Sequence, residues 1–280
     1  MVFQAPAKIN LSLRILGRRS DGFHEVETIM APLSLADTLD IEVGKGDGID
    51  FTCSDVSLPL DGTNLVCRAA HAFARHTGLR FHARIHLNKK IPHGAGLGGG
   101  SSDAAAVLKA LDSILGTGLS ISELESMAAM LGSDIPFFIR SCPAICRGRG
   151  EIVEPIASLP GANVLLVKPP FPVPTAWAYQ AYQNKSPSAE TFSQFHGSIA
   201  LMNDLEKPVF SKYLVLPVLK RWLLDQAGVL SAMMSGSGST IFAILDNHGI
   251  DLEERLLVEF GSSFLVRHCQ LTGSTSAELH

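Results

Sequence analysis

Cysteine is scarce and unpatterned in this chain. Its five cysteines, Cys53, Cys67, Cys142, Cys146 and Cys269, are an odd number without a C-x-x-C pair. That argues against a disulfide framework or a zinc site and fits a reducing cytoplasm. Long apolar runs are missing too. No stretch of eighteen uninterrupted apolar residues offers a membrane span, and "MVFQAPAKINLSLRILGRRSDG" reaches charged residues too soon for a secretory signal. A cytoplasmic protein with no membrane contact is the expectation. Nor is there a basic excess: 23 Lys and Arg stand against 27 Asp and Glu, a net charge of -4. A general nucleic-acid binder is therefore not expected. Internal repeats and low-complexity segments are absent, and nothing points to an obligate protein partner.

What is present is apolar bulk. At 280 residues and 46% hydrophobic content, the chain can build one large domain or two modest ones. "KINLSLRIL" alternates, which predicts a strand with Ile9, Leu11, Leu13 and Ile15 on one face. "TLDIEV" and "DGIDFTC" read as strands around the "GKGDG" turn, and "NLVCRAAHAFARHTG" as a helix stopped by Gly78. "RFHARIHL" alternates again. Its His82 and His86 belong to a solvated strand face, because i and i+4 on a strand lie too far apart to chelate one ion. Two helices follow in "SSDAAAVLKALDSILG" and "SISELESMAAMLG", the second capped by Ser120 or Ser122. "AICRGRGEIVEPI" reads as a hairpin, and "NVLLVK" opens a second domain. The polar segment 184–198 reads as a loop, "LPVLKRWLLDQAG" as a helix, and "VLSAMM" and "TIFAIL" as strands joined by "SGSGS". The mixed order predicts an α+β protein of two domains, 1–156 and 157–280.

The densest feature is "IPHGAGLGGGSSDAAAVLKAL", with five glycines in the seven residues 94–100. A glycine-rich loop leading into a helix N-terminus forms an anion site, since free N–H groups and the helix dipole both face the ligand. Without Cβ atoms the backbone can approach phosphate oxygens closely. Ser101 and Ser102 add hydroxyls suited to phosphate or Mg²⁺. A nucleotide phosphate cradle outweighs the plainer reading of a flexible loop. Gly94, Gly96 and Gly99 fit G-x-G-x-x-G, but a dinucleotide fingerprint should follow the first buried strand, and the Walker lysine is missing.

"PHGAGLGGGSSDAA" resembles the second motif of the galactokinase, homoserine kinase, mevalonate kinase and phosphomevalonate kinase superfamily, and "MSGSGSTIFAI" resembles its third. "APAKINLSLRILGRRSDGFHEVETIM" resembles the first motif of one branch, the 4-diphosphocytidyl-2-C-methylerythritol kinases of the non-mevalonate isoprenoid pathway. Gly99 and Gly100, inserted between Gly-Leu-Gly and Ser-Ser, and the stretch "DGFHEVET" favour that branch. The resemblance implies a kinase that uses ATP, with Mg²⁺, to phosphorylate the 2-hydroxyl of a cytidine-diphosphate-linked small molecule.

By the same resemblance Asp134 is the general base, with Lys8 beside it and Asn10 orienting the substrate alcohol. Taken singly, Asp134 reads as a helix cap and Lys8 as a solvated strand residue. Their joint occurrence with both glycine motifs reverses that preference. Asn64, Leu65 and Lys89 are expected near the adenine, Asn64 serving also as a helix cap. Gly94, Gly96, Leu97, Gly98, Gly99, Gly100, Ser101 and Ser102 form the cradle. Asp103 is a metal candidate, and the metal ligands are otherwise left open. Phe23 and Tyr179 would stack on the cytosine, with Trp177 as a competing second ring and core packing as the plainer role. His24 would bond the cytosine edge, and Thr175, Asp204 and Gly236 would line the acceptor site. Rival readings are another small-molecule kinase of the superfamily and a non-catalytic nucleotide-binding protein, with a dinucleotide oxidoreductase a distant third.

Overall fold

The computed structural model describes residues 1–157, 159–182, 193–195, 199–246 and 252–272. In chain order the first half runs β1 (Val2–Arg18), β2 (His24–Gly44), β3 (Gly48–Cys53), α1 (Leu65–Thr77), β4 (His82–Asn88), α2 (Gly99–Leu115), α3 (Ile121–Leu131), α4 (Ile135–Arg140), β5 (Ala144–Gly148) and β6 (Ile152–Pro155). The second half runs β7 (Asn163–Lys168), α5 (Thr175–Ala181), β8 (Ser193–Phe195), β9 (Ile199–Asn203), α6 (Glu206–Lys212), α7 (Val215–Leu224), β10 (Val229–Met234), β11 (Ile241–Leu245), α8 (Glu253–Phe260) and β12 (Leu265–Gln270).

The long antiparallel pair of β1 and β2 is the spine of the first sheet, ordered β3-β4-β2-β1-β9-β8, with β5 and β6 extending from β2. The second sheet is antiparallel, in the order β10-β11-β7-β12. Helices α1 to α4 pack on one side of the first sheet. Four buried alanines of α2, Ala104, Ala105, Ala106 and Ala110, let that helix lie close to the strands. Between the sheets, Ile9 and Leu11 meet Val164, Leu166, Phe242 and Ile244. On the far side of the second sheet, Leu165 and Val167 meet Leu216, Leu219 and Leu256 from α7 and α8. Every residue of β11 is buried, as a strand covered on both faces requires.

Local signals explain many ends. Asn64 caps α1 by accepting from the Val66 amide at 3.0 Å, and Gly78 ends it in the left-handed region. Of the two serines open at α3, Ser120 is the cap, in a reciprocal box with Glu123. Phe81, Ala83, Ile85 and Leu87 are buried, while Arg84 and His86 are exposed. Other expectations need correction. Gly99 and Gly100 are not loop but the first two residues of α2. Leu13 and Ile15 join the cluster beyond the second sheet rather than that of Ile9 and Leu11. The register of β1 shifts between Asn10 and Ser12, so the strand does not keep one straight face. Segment 184–198 lies outside the described residues, save that Ser193–Phe195 is a short strand paired with β9. Residue 156 falls between the sheets, yet β9 crosses back to pair in parallel with β1.

Candidate active site

The first sheet, the N-terminus of α2, α5 and the β10–β11 loop line one cavity of about 740 Å³. β1 supplies its floor. Register shifts between Pro6 and Lys8 and between Asn10 and Ser12 re-aim this stretch, and Lys8, Asn10 and Thr28 line the cavity although each is buried. Lys8 Nζ donates to Asn10 Oδ1 at 2.6 Å, and Asn10 Nδ2 donates to Thr28 Oγ1 at 2.8 Å. Thr28 in turn donates to the Ser12 carbonyl at 2.5 Å. Both ends of the Asn10 amide are therefore engaged by protein. Its place is that of a residue orienting Lys8.

Asp134 Oδ2 lies 3.6 Å from Lys8 Nζ, with the lysine 3% and the aspartate 36% exposed. Asp134 stands at the N-cap position of α4 but makes no capping bond. Its side chain is thus free of the plainer role that its position suggested. Phe137 and Phe138, fully buried behind it, anchor α4 in the core, each burial worth about 1.5–3 kcal/mol.

The glycine loop is held from two sides. Leu97 accepts from the Lys8 amide at 3.0 Å, and Gly96 accepts from Ser235 Oγ at 2.9 Å. Gly94, Gly96 and Gly98 all take positive φ. A Cβ on Gly96 would fall 2.2 Å from the Ser235 carbonyl, and one on Gly98 would fall 2.7 Å from the Phe138 ring. A Cβ would be crowded by Pro172 at Gly94 and by Ile91 at Gly99, each at 3.0 Å. At Gly100 a Cβ meets only Leu65, at an ordinary 3.7 Å. Protein neighbours crowd a Cβ at four of the five glycines; all five line the cavity, and Gly100 alone has ordinary room for a Cβ. Ser101 lines the wall, but Ser102 does not: it is buried, and its Oγ has no hydrogen-bond partner among the described residues.

Asn64, Leu65 and Lys89 line the cavity together with Leu58, Pro59 and Thr63. Lys89 Nζ donates to Asp37 Oδ2 at 2.5 Å and to Asp103 Oδ2 at 2.9 Å. Burial opposes its charge, but Asp103 and Asp37 more than offset this and hold the ammonium above the ordinary lysine range. Burial likewise pushes Asp103 up to about 7, against the pull of Lys89. Asp103 is thus committed to Lys89, and among the described residues no group of three or more His, Cys, Asp or Glu is placed to hold a metal.

Phe23, His24, Thr175 and Tyr179 line another part of the same cavity. The Tyr179 and His24 rings lie 5.4 Å apart. Burial first, and Asp134 second, push the Tyr179 phenol up, so this ring is within reach of the Asp134 charge. Burial first, and Arg18 second, lower His24, which favours the neutral imidazole. Trp177 is not on the wall; it sits edge-on to Tyr213, with Lys212 Nζ 4.0 Å above its ring. Thr175 Oγ1 and Ser237 Oγ share a 2.9 Å hydrogen bond. Gly236 lines the cavity, and a Cβ there would lie 3.2 Å from Asn10 Oδ1. Asp204 lies off the wall and accepts from the Ile15 amide at 2.8 Å, a structural role. Arg149 on the wall and Asp37 behind it were not foreseen. Arg149, between the glycines of the β5–β6 turn, places its guanidinium 5.0 Å from the Phe23 ring centre. Asp37, an acid in β2 with no exposure at all, reaches the wall only through its bond to Lys89.

Comparison with known proteins matches this geometry. Residues 64–141 fit the model of the GHMP kinases N terminal domain, and residues 188–259 that of the GHMP kinases C terminal domain. A 4-diphosphocytidyl-2-C-methyl-D-erythritol kinase of Methylacidiphilum infernorum is 47% identical over 250 residues, covering 86% of this chain and 84% of that protein. The kinase of that name from Syntrophotalea carbinolica is 40% identical, covering 88% and 89%. A crystal structure of a 4-(cytidine 5'-diphospho)-2C-methyl-D-erythritol kinase superposes with a TM-score of 0.81 at 35% identity, covering 98% of this chain and all of that one. Mevalonate kinase of Methanococcus jannaschii, at 16% identity and a TM-score of 0.65, shares the fold. With this identity over most of its length, the chain belongs to the 4-diphosphocytidyl-2-C-methyl-D-erythritol kinase family of the GHMP kinases.

Proposed function

We propose that this chain transfers the γ-phosphoryl group of ATP to the 2-hydroxyl of 4-diphosphocytidyl-2-C-methyl-D-erythritol. The observation that carries the reading is the Lys8–Asp134 pair, 3.6 Å apart on the wall of one cavity. Gly98 packs against Lys8 on one side of that pair, and Tyr179 feels the Asp134 charge on the other. The nucleotide then lies along Asn64, Leu65 and the N-terminus of α2, and the cytidylyl group between Phe23, His24 and Tyr179. Asp134 takes the hydroxyl proton, the alcohol oxygen bonds to the γ-phosphorus, and the bond to the ADP oxygen breaks. Lys8, fixed by Asn10, faces Asp134 and stabilises charge on the transferred group. Neutral His24 and the flat ring of Tyr179 suit an uncharged base.

Mg²⁺ would be carried by the triphosphate and would supply charge neutralisation there. Ser101, on the cavity wall in the first turn of α2, fits such a group and is the residue that would hold it. An assay of ADP release with and without the acceptor tests the reading. Turnover should require the acceptor, and Asp134→Asn should lower kcat by about 10²–10⁴-fold with both KM values little changed. Near-normal kcat in a folded variant removes Asp134 from the role of base. ATP binding without any turnover favours a non-catalytic nucleotide-binding protein.

A further inference from the structure

Lys89 is a lysine on the wall of an anion-binding cavity, yet its surroundings are wrong for a phosphate ligand. Its ammonium spends two of three donors on Asp37 and Asp103, and all three side chains are buried. Lys89 contributes one positive charge and Asp37 one negative, and Asp103, pushed up to about 7 by burial, adds only a partial negative charge near neutral pH, so the cluster has no net positive charge. Such a cluster presents an N–H donor without a net positive field. It offers a triphosphate no net attraction and suits an uncharged acceptor. The cluster is also rigid. Asp37 Oδ1 accepts from the Lys90 and Ile91 amides at 2.5 and 2.8 Å, which fixes the chain just before the glycine loop. The absent Cβ of Gly99 leaves room for the ammonium, since a Cβ there would stand 3.1 Å from Lys89 Nζ. Asp103 Oδ1 is buried and has no hydrogen-bond partner among the described residues. Lys89 and Asp103 share the cavity wall with Leu58, Pro59 and Leu65, apolar side chains suited to a flat ring.

We infer that Asp37 and Asp103 are positioning residues that turn Lys89 from a phosphate ligand into a hydrogen-bond donor for the nucleobase of ATP. The inference rests on the nucleotide reading above and goes beyond it. It assigns these two carboxylates the task of setting which end of the nucleotide enters this part of the cavity. One lost charge-assisted hydrogen bond corresponds to about a tenfold change in affinity.

The test compares ATP and inorganic tripolyphosphate as calorimetric probes of the wild-type chain, Asp103→Asn and Asp37→Asn. Asp103→Asn keeps the shape and removes its charge. It should weaken ATP about tenfold while leaving tripolyphosphate unchanged or tighter. In turnover, the KM for ATP should rise by a like factor, with the acceptor KM and kcat within about twofold. Asp37→Asn should act in the same direction, and neither effect should persist in a Lys89→Gln background. Should Asp37→Asn fail to fold, Asp103→Asn still decides. Equal loss of ATP and tripolyphosphate would make Lys89 a phosphate ligand and overturn the inference. Unchanged ATP affinity in Asp103→Asn would leave the cluster structural only and overturn it too. Wild-type protein that binds no ATP would instead sink the nucleotide reading beneath it.

Discussion

Gly98 and Gly100 sit two residues apart and answer to different neighbours. Gly98 combines a φ of +73° with a Cβ position 2.7 Å from the Phe138 ring edge, so Gly98→Ala should cost about 1–3 kcal/mol of stability. Gly100→Ala has space and no such φ, and alanine suits a helix better than glycine. Its thermal midpoint should not fall, while its KM for ATP rises about tenfold and the acceptor KM stays put. An unaltered KM for ATP would make the whole run a packing device. The acceptor aromatics divide in a similar way. Phe23, 51% exposed, and Tyr179 stand on the wall, whereas Trp177 packs against Tyr213. Stacking on a base is worth about 1–3 kcal/mol, so Phe23→Ala or Tyr179→Ala should raise the acceptor KM roughly ten- to a hundredfold. Trp177→Ala should leave it within about twofold, and steady-state kinetics on the three variants would show a reversed order if the cytosine lies elsewhere.

At the scale of elements, the pairing of β1 with β2 sets the chemistry. Thr28 on β2 accepts from Asn10 and donates to the Ser12 carbonyl, and Asn10 holds Lys8. Thr28→Val keeps the volume and removes the hydroxyl. It should cost about 1 kcal/mol of stability and lower kcat more than either KM, because Lys8 loses its fixed orientation. A urea midpoint and a kinetic run on one preparation check both parts; a fall in affinity with kcat intact would contradict the chain from Thr28 to Lys8. Which elements could be read from the chain follows the same physics. Those with local end signals were legible: Asn64 and Gly78 around α1, Ser120 with Glu123 at α3. α6, β9, α8 and β12 were not, since β9 meets β1 through only the Ser12–Met202 and Leu13–Asn203 pairs, and β12 finds its register on β7 from far along the chain.

Across the whole molecule, the site gathers residues from positions 8 to 237 into one cavity. Motif-borne residues were legible because the glycine run, "PAKIN" and "SGSGS" carry their chemistry in contiguous sequence. Asp37 was not, because its partners are 52 and 54 residues away in sequence. Arg149 was hidden for a like reason, as only the fold brings the β5–β6 turn over Phe23. Asp204 and Ser102 were placed on the wall by motif and lie behind it in space. The central claim is that this cavity joins ATP to an alcohol recognised through its cytidylyl group. Its most direct measurement is kcat/KM for 4-diphosphocytidyl-2-C-methyl-D-erythritol beside that for methylerythritol phosphate, in one assay of ADP release. The account predicts a loss of at least about tenfold for the fragment without cytosine, the stacking energy on one ring alone. Equal phosphorylation of the two would contradict it.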